Sequence, residues 1–206
     1  MGRRSYDQHC AIARALDVIG ERWAMLIVRE LLSGPRRYTD LHADLPGVST
    51  DVLAARLKEL EGDGVVERRR LPSPATGHAY DLTARGRALL PALSALAEWG
   101  GAELGAPRPT DAVRAHWSAI PLIRRLGGVA AEGILDVRLD EGAFHLDLTP
   151  AGATYHDGAA PKADATLTLT PDACHLLVTG AAEPHDVTGA RVQGDTPLAD
   201  AVRAAF

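Results

Sequence analysis

Three consecutive arginines, Arg68, Arg69 and Arg70, stand in the run Val65-Val66-Glu67-Arg68-Arg69-Arg70-Leu71, shortly after a segment whose leucines recur at helical spacing. Guanidinium groups are permanently charged planar donors, and a cluster of them suits the oxygens of phosphate esters. The β-branched residues that lead the run predict a strand, so successive side chains alternate between its faces. Pro72 to Gly77 turns the chain and Ala79-Tyr80-Asp81-Leu82 returns, which makes an antiparallel ribbon with His78 at its loop end. Upstream, Ser49 follows the breaker pair Pro46-Gly47 and is placed to cap a helix beginning at Thr50. Leu53, Leu57 and Leu60 share the inward face of that helix, while Asp51, Ala54, Ala55, Lys58 and Gly62 fall opposite. Small and polar side chains on that far side let a helix lie in a major groove, although a solvated amphipathic helix has the same pattern. The candidate DNA contacts are Ser49, Thr50, Asp51, Arg56 and Lys58 near base edges or phosphates, with Arg36, Arg37, Arg68, Arg69, Arg70 and His78 on the backbone.

Other reactive residues are sparse. His145, His156, His175 and His185 lie among aspartates, and His145 to His156 spans two predicted strands, so a metal or acid–base site is conceivable. No HxH, HExxH or nucleophile-elbow spacing accompanies them, and His145 alternates outward with Asp147 as on a solvated face. No enzyme activity, cofactor or metal is expected. Cys10 and Cys174 cannot build a disulfide framework. Arg14 lies one helical turn beyond Cys10 and could favour its thiolate, but a lone helical cysteine also serves as a small hydrophobe.

The elements that must position these residues divide in two. At 206 residues, 46% hydrophobic and 24% charged, the chain can bury two cores of about 100 residues each. Residues 1–106 carry 14 basic and 14 acidic side chains, and residues 107–206 carry 8 and 13, so the net charge of −5 belongs to the second half. A neutral half with clustered arginine still offers a local positive surface, whereas the acidic half should avoid phosphate. No apolar run approaches the roughly 20 residues that span a bilayer, and no apolar signal segment follows the N-terminus, so a cytoplasmic protein without a membrane partner is expected.

Helices are predicted over 9–20, over Trp23 to Leu32, and over Thr39 to Leu45 with Thr39 as cap. A further helix, capped by Thr83, is predicted to run to Gly101. Its Leu89, Leu90, Leu93, Leu96 and Trp99 exceed what a domain of this size needs for its own core. Gly105 to Pro109 reads as a stiff linker. Beyond it come a helix over 110–126 that includes Pro121, strands over 133–139, 143–149, 153–156 and 165–170, a helix over 172–180, the segment 190–195, and a helix over 196–206.

The runs Cys10 to Trp23, Leu31 to Tyr38, Ser49 with Leu53 to Gly64, and Tyr80-Asp-Leu-Thr-Ala-Arg-Gly86 resemble the HxlR-type winged helix-turn-helix transcription regulators, a MarR-like group. The resemblance covers residues 10 to about 104. It implies a homodimer on a pseudo-palindromic double-stranded DNA operator, one recognition helix per half-site. It also implies that Leu90, Leu93, Leu96, Ala97 and Trp99 pair with the partner subunit. Several members carry a redox-sensing thiol at the position of Cys10, usually followed by Pro where this chain has Ala11.

Ala163 to Asp172, Leu176 to Gly180 and Val192 to Val202 resemble the sterol-carrier-protein type 2 fold. That resemblance implies a curved sheet covered by helices around an apolar tunnel, with Trp117, Ile120, Ile123, Phe144, Leu146, Leu176, Leu177 and Phe206 as candidate lining for a small hydrophobic ligand. The expected fold class is α+β, with a winged helix-turn-helix over 1–104, a linker over 105–109, and an α/β sterol-carrier-like domain over 110–206. The function expected is ligand-modulated transcription regulation. Two alternatives stay open: a thiol switch at Cys10, and a lipid carrier whose winged helix serves only dimerisation.

Overall fold

The computed structural model describes residues 5–71, 76–105, 108–150, 152–179 and 187–206. The chain divides into two compact units, residues 1–90 and 91–206.

In the first unit α1 (Ala11–Ile19), α2 (Ala24–Leu32), α3 (Tyr38–Asp44) and α4 (Thr50–Gly62) precede a two-stranded ribbon, β1 (Val66–Arg70) and β2 (His78–Leu82), and a one-turn helix α5 (Ala84–Arg87). The core forms where the apolar faces meet: Ile27, Val28 and Leu31 of α2, Leu41 and Leu45, and Leu53, Leu57 and Leu60 of α4 are all buried. The predicted helix over Thr39 to Leu45 begins one residue earlier, at Tyr38, and Thr39 lies inside it rather than capping it. Asp40 takes over that task, its carboxylate accepting the backbone N–H of Arg37 at 3.2 Å. Arg36 pairs with Tyr80 through two backbone hydrogen bonds, Arg36 N–H to Tyr80 O at 2.9 Å and Tyr80 N–H to Arg36 O at 2.8 Å, which adds a short third strand to the ribbon.

The second unit begins with α6 (Leu90–Gly101), followed by a 3-10 turn (Ala115–Ser118) and α7 (Ala119–Leu126). Then come β3 (Gly133–Leu139), β4 (Gly142–Thr149), β5 (Gly152–Asp157), β6 (Ala165–Leu169), α8 (Pro171–Thr179), β7 (Ala190–Gln193) and α9 (Pro197–Ala205). The strands form one sheet in the order β5-β4-β3-β6-β7, antiparallel except for the parallel β3–β6 pair. One face carries Leu135, Val137, Phe144, Leu146, Leu167 and Leu169, which pack with Leu122, Leu126, Ala173, Leu177, Leu198 and Val202 of the helices into a single cluster. No helix of the described residues is long and apolar enough to cross a membrane.

Two predicted helices are shorter than expected, each for the same reason. A proline inside an α-helix has no N–H to donate, and its ring meets the carbonyl four residues back. Pro91 therefore breaks the run predicted over 83–101 into α5 and α6, and Pro121 restricts the run predicted over 110–126 to α7 preceded by the 3-10 turn. The division between units falls at Leu90, where the sequence pointed to the linker at 105–109. Within the second unit α6 is tied down by Glu98, which pairs with Arg124 at 2.7 Å, and by Gly101, whose hydrogen faces the Thr179 backbone. Of the linker, Ala106 and Pro107 lie outside the described residues, as do Pro72 to Ala75 of the ribbon's loop.

Gly86 is where α5 meets the ribbon. A Cβ there would collide with the Val65 carbonyl oxygen, a backbone atom, and stand 2.9 Å from Leu82 Cδ2. Gly86→Ala is expected to lower stability by about 1–3 kcal/mol, read as a reduced urea midpoint; an unchanged midpoint would show that the ribbon yields at no cost.

Candidate nucleic-acid interface

The first turn of α4 is set by its cap. Ser49 Oγ accepts the Val52 N–H at 3.3 Å, and the Tyr38 hydroxyl donates to the Thr50 carbonyl at 2.8 Å, which fastens the start of α3 to the start of α4. With Leu53, Leu57 and Leu60 buried, the opposite face presents Thr50, Asp51, Ala54, Ala55 and Lys58, all exposed. Two of the residues expected at this surface have other engagements. The Ser49 hydroxyl serves as the cap, and Arg56 turns to the flank of the helix, paired with Glu59 and 3.9 Å from Glu21.

The ribbon sorts its arginines by alternation. Arg68 lies opposite Tyr80 and Arg70 opposite His78 on one face, with the Arg68 guanidinium 3.4 Å from His78 Nδ1. Arg69 lies on the other face, and there it donates to Asp81 Oδ2 and approaches Glu67 at 3.8 Å. Asp81 is 1% exposed and fully employed: its Oδ1 accepts Arg87 at 2.7 Å and the Leu82 N–H at 2.8 Å. The Arg36 guanidinium donates to Ser33 Oγ at 2.8 Å, whereas Arg37 is exposed at the start of α3.

Sequence reasoning did not identify Asp81 and Arg87 as parts of this surface. The available signal was an acidic residue between the apolar Tyr80 and Leu82 on a returning strand, which must be paired if buried. Tyr38, the tie between α3 and α4, likewise went unmarked.

Cys10 is exposed at the residue that precedes α1. The Arg14 guanidinium turns to Asp17 at 3.4 Å and to Ser5, and the Tyr6 backbone N–H, aided by Ser5 and Arg14, holds the Asp17 carboxyl below its ordinary range. Burial pushes the Cys174 thiol up, an effect that Ser118 Oγ at 3.8 Å partly offsets. Along α1, Ile12 and Leu16 are exposed, and Ala15, Val18 and Ile19 line a shallow apolar groove with Val65, Arg85 and Leu89.

The residues expected to meet a partner subunit spread over both sides of α6. Leu93 is buried, Leu90 and Ala97 are half-buried, and Leu96 and Trp99 are 50% and 79% exposed. Of the expected ligand-lining residues, Phe144, Leu146 and Leu177 sit inside the packed core and Ile120 is buried. Ile123 and Phe206 pack against that core, Trp117 and Leu176 are half-buried, and the Arg125 guanidinium stands 5.0 Å over the Phe206 ring.

The model of the HxlR-like helix-turn-helix matches residues 18–107. The HTH-type transcriptional regulator YvaP of Bacillus subtilis is 43% identical over 86 residues, which is 42% of this chain and 80% of YvaP. YodB, an HTH-type transcriptional regulator of the same organism, is 38% identical over 85 residues, 41% of this chain and 76% of YodB. The crystal structure of PA1607 is 40% identical with a TM-score of 0.46, over 52% of this chain and 74% of that one. On the extent of the match to YvaP, the chain belongs to the HxlR-like helix-turn-helix family.

Proposed function

We propose that the chain is a DNA-binding transcription regulator that acts as a homodimer on a pseudo-palindromic operator. The observation that carries the reading is the exposed, small-residue face of α4, with Lys58 upon it, beside a ribbon whose Arg68 and Arg70 face away from the buried Asp81. Thr50, Asp51 and Lys58 approach base edges or phosphates, Arg37, Arg68, Arg70 and His78 hold the sugar-phosphate rails, and Arg69 keeps the ribbon in register through Asp81. Ser49, Arg36 and Arg56 shape the surface from behind, as cap, strand residue and flank. Each phosphate contact releases about one counterion, so Lys58→Ala and Arg70→Ala each lower the salt slope of promoter binding by about one. Arg69→Ala leaves that slope nearly unchanged and instead lowers the urea midpoint. Fluorescence anisotropy on a labelled promoter fragment across a salt series separates the two, and a slope drop for Arg69→Ala equal to that of Arg70→Ala would return Arg69 to the phosphate contacts.

Two copies are joined through apolar surface that the single chain leaves open, chiefly Leu96 and Trp99 of α6 and Ile12 and Leu16 of α1. Trp99→Glu combined with Leu96→Glu is expected to shift the sedimentation coefficient to that of a monomer with an unchanged far-UV spectrum. A persisting dimer would move the interface elsewhere.

The second unit is read as a sterol-carrier-like sensor of a small hydrophobic molecule. A mixed sheet with its apolar face under α7, α8 and α9 supports the reading, and binding requires the helices to part from Phe144, Leu146 and Leu177. Ligand modulates operator affinity only if its own affinity differs between two arrangements of the dimer. Native mass spectrometry of the purified protein, searching for a co-purified apolar molecule, tests it.

The exposure of Cys10 favours a second reading, a thiol switch. The thiolate is the reactive form, so access and ionisation set the rate. Ellman's reagent is expected to label Cys10 fast and Cys174 slowly, with the fast phase lost in Cys10→Ser; if that variant also keeps its full response to oxidant at the promoter, the switch reading fails.

A further inference from the structure

The face of the second unit's sheet that looks away from its core is polar, and two histidines meet upon it. His145 of β4 is the register partner of His156 of β5. Their rings lie nearly parallel, with centroids 4.9 Å apart and planes inclined by 15°. His145 Nδ1 stands 2.9 Å from the Gly158 carbonyl oxygen. A carbonyl only accepts, so in this bond Nδ1 carries the proton and the neutral ring keeps its lone pair on Nε2. A backbone carbonyl that fixes the tautomer and the plane of an imidazole is the usual outer support of a metal-ligating histidine.

His156 is exposed, and no hydrogen bond holds its ring among the described residues. It is therefore free to turn about χ2 and bring a nitrogen towards Nε2 of His145. Directly opposed residues of an antiparallel pair have Cβ atoms about 5 Å apart. Two imidazole nitrogens bound to one ion at about 2.0–2.1 Å need to stand only about 3 Å from each other, which ring rotation supplies. Both residues sit within strands, so the backbone positions are fixed before any ion arrives. The neighbouring charges leave the pair unobstructed: Asp136, opposite His145 on β3, is buried and accepts from Arg138 Nε at 2.8 Å and from the Ala160 N–H at 2.8 Å. Asp157 is held by the Tyr155 hydroxyl at 2.8 Å, and Asp147, two residues along β4, is exposed.

We propose that His145 and His156 form a two-histidine site for a divalent ion of the imidazole-preferring class, Cu²⁺, Ni²⁺ or Zn²⁺, with water in the remaining coordination positions. Imidazole ligands favour these metals over Mg²⁺ and Ca²⁺, and among them copper binds more tightly than nickel. Because both rings must be neutral, acid releases the ion as protons compete for the nitrogens.

Isothermal titration of the untagged full chain with nickel chloride and with copper chloride tests the site. One ion per chain is expected, copper tighter than nickel, with affinity lowered at least about ten-fold in His145→Ala and in His156→Ala. His175→Ala, on α8, and Cys10→Ser are expected to bind as the parent does. The copper complex should show an electron paramagnetic resonance signal with two equivalent nitrogens that disappears in His156→Ala, a substitution at an exposed strand position that leaves the core untouched. Equal isotherms for the parent and both histidine variants would overturn the proposal. So would binding that Cys10→Ser alone abolishes, or no heat from either ion at millimolar concentration.

Discussion

The carboxylate of Asp81 governs how the first unit presents itself. A carboxylate taken out of water costs several kcal/mol unless its oxygens are filled with donors, and here Arg69, Arg87 and the Leu82 N–H fill them. That requirement ties the ribbon to α5, because Arg69 comes from β1 and Arg87 from beyond β2. It also settles which arginines remain for a partner. A one-residue slip in the ribbon would turn Arg68 and Arg70 towards Asp81 and Arg69 outward, so the buried acid fixes register as firmly as the apolar pairing at the ribbon's base does. Val66 and Leu82 pair there, and Gly86 is small enough to let α5 close over the joint.

Much of this architecture was legible in the chain. The cap at Ser49, the leucines of α4 and the alternation of Phe144, Leu146 and Leu148 act within a few residues of themselves, so local spacing suffices to read them. The extent of α6 and α7 departs from what apolar spacing predicts, for a cause that is also local. Pro91 and Pro121 each bar an unbroken helix from passing through them, and the apolar spacing that continues across each proline does not lift that bar. The partner of Arg69 was not legible, because Asp81 reaches it only after folding, whereas Arg56 pairs with Glu59 one turn along its own helix. A run of three arginines reads as one patch in sequence and becomes two faces in a strand. Only the identity of the acid across the ribbon decides which face is spent.

The second unit shows how far a one-sided sheet can be read from alternation. Its inward positions are apolar apart from Asp157 at the end of β5, and its outward positions run His156, His145, Asp136, Thr166 and Gln193 from one edge towards the other in register. Asp136 on this outer row is nonetheless 1% exposed, because the segment after β5 donates the Ala160 N–H to it and accepts from His145 through Gly158. An outward position is thus not the same as a wet one. The chain that leaves an edge strand and returns to the middle of the sheet must find partners for its own backbone on the way, and the polar row supplies them.

Net charge would have been a misleading guide to the first unit's partner. Several of its acids and bases are consumed in pairs: Arg14 with Asp17, Arg29 with Glu30, Arg56 with Glu59, and Arg69 and Arg87 together with Asp81. Counterion release from DNA depends on cations that can reach phosphates, not on the sum over the chain. Among the described residues of the first unit Arg22, Arg37, Lys58, Arg68, Arg70 and Arg85 make no ion pair, and Arg37, Lys58, Arg68 and Arg70 belong to α3's entrance, α4 or the ribbon. A neutral total therefore conceals a local cluster of cations on α4 and the ribbon that carry no ion pair, with Asp51 as an exposed acid on the same face of α4. The acidic excess belongs to the second half of the chain, where it disfavours phosphate.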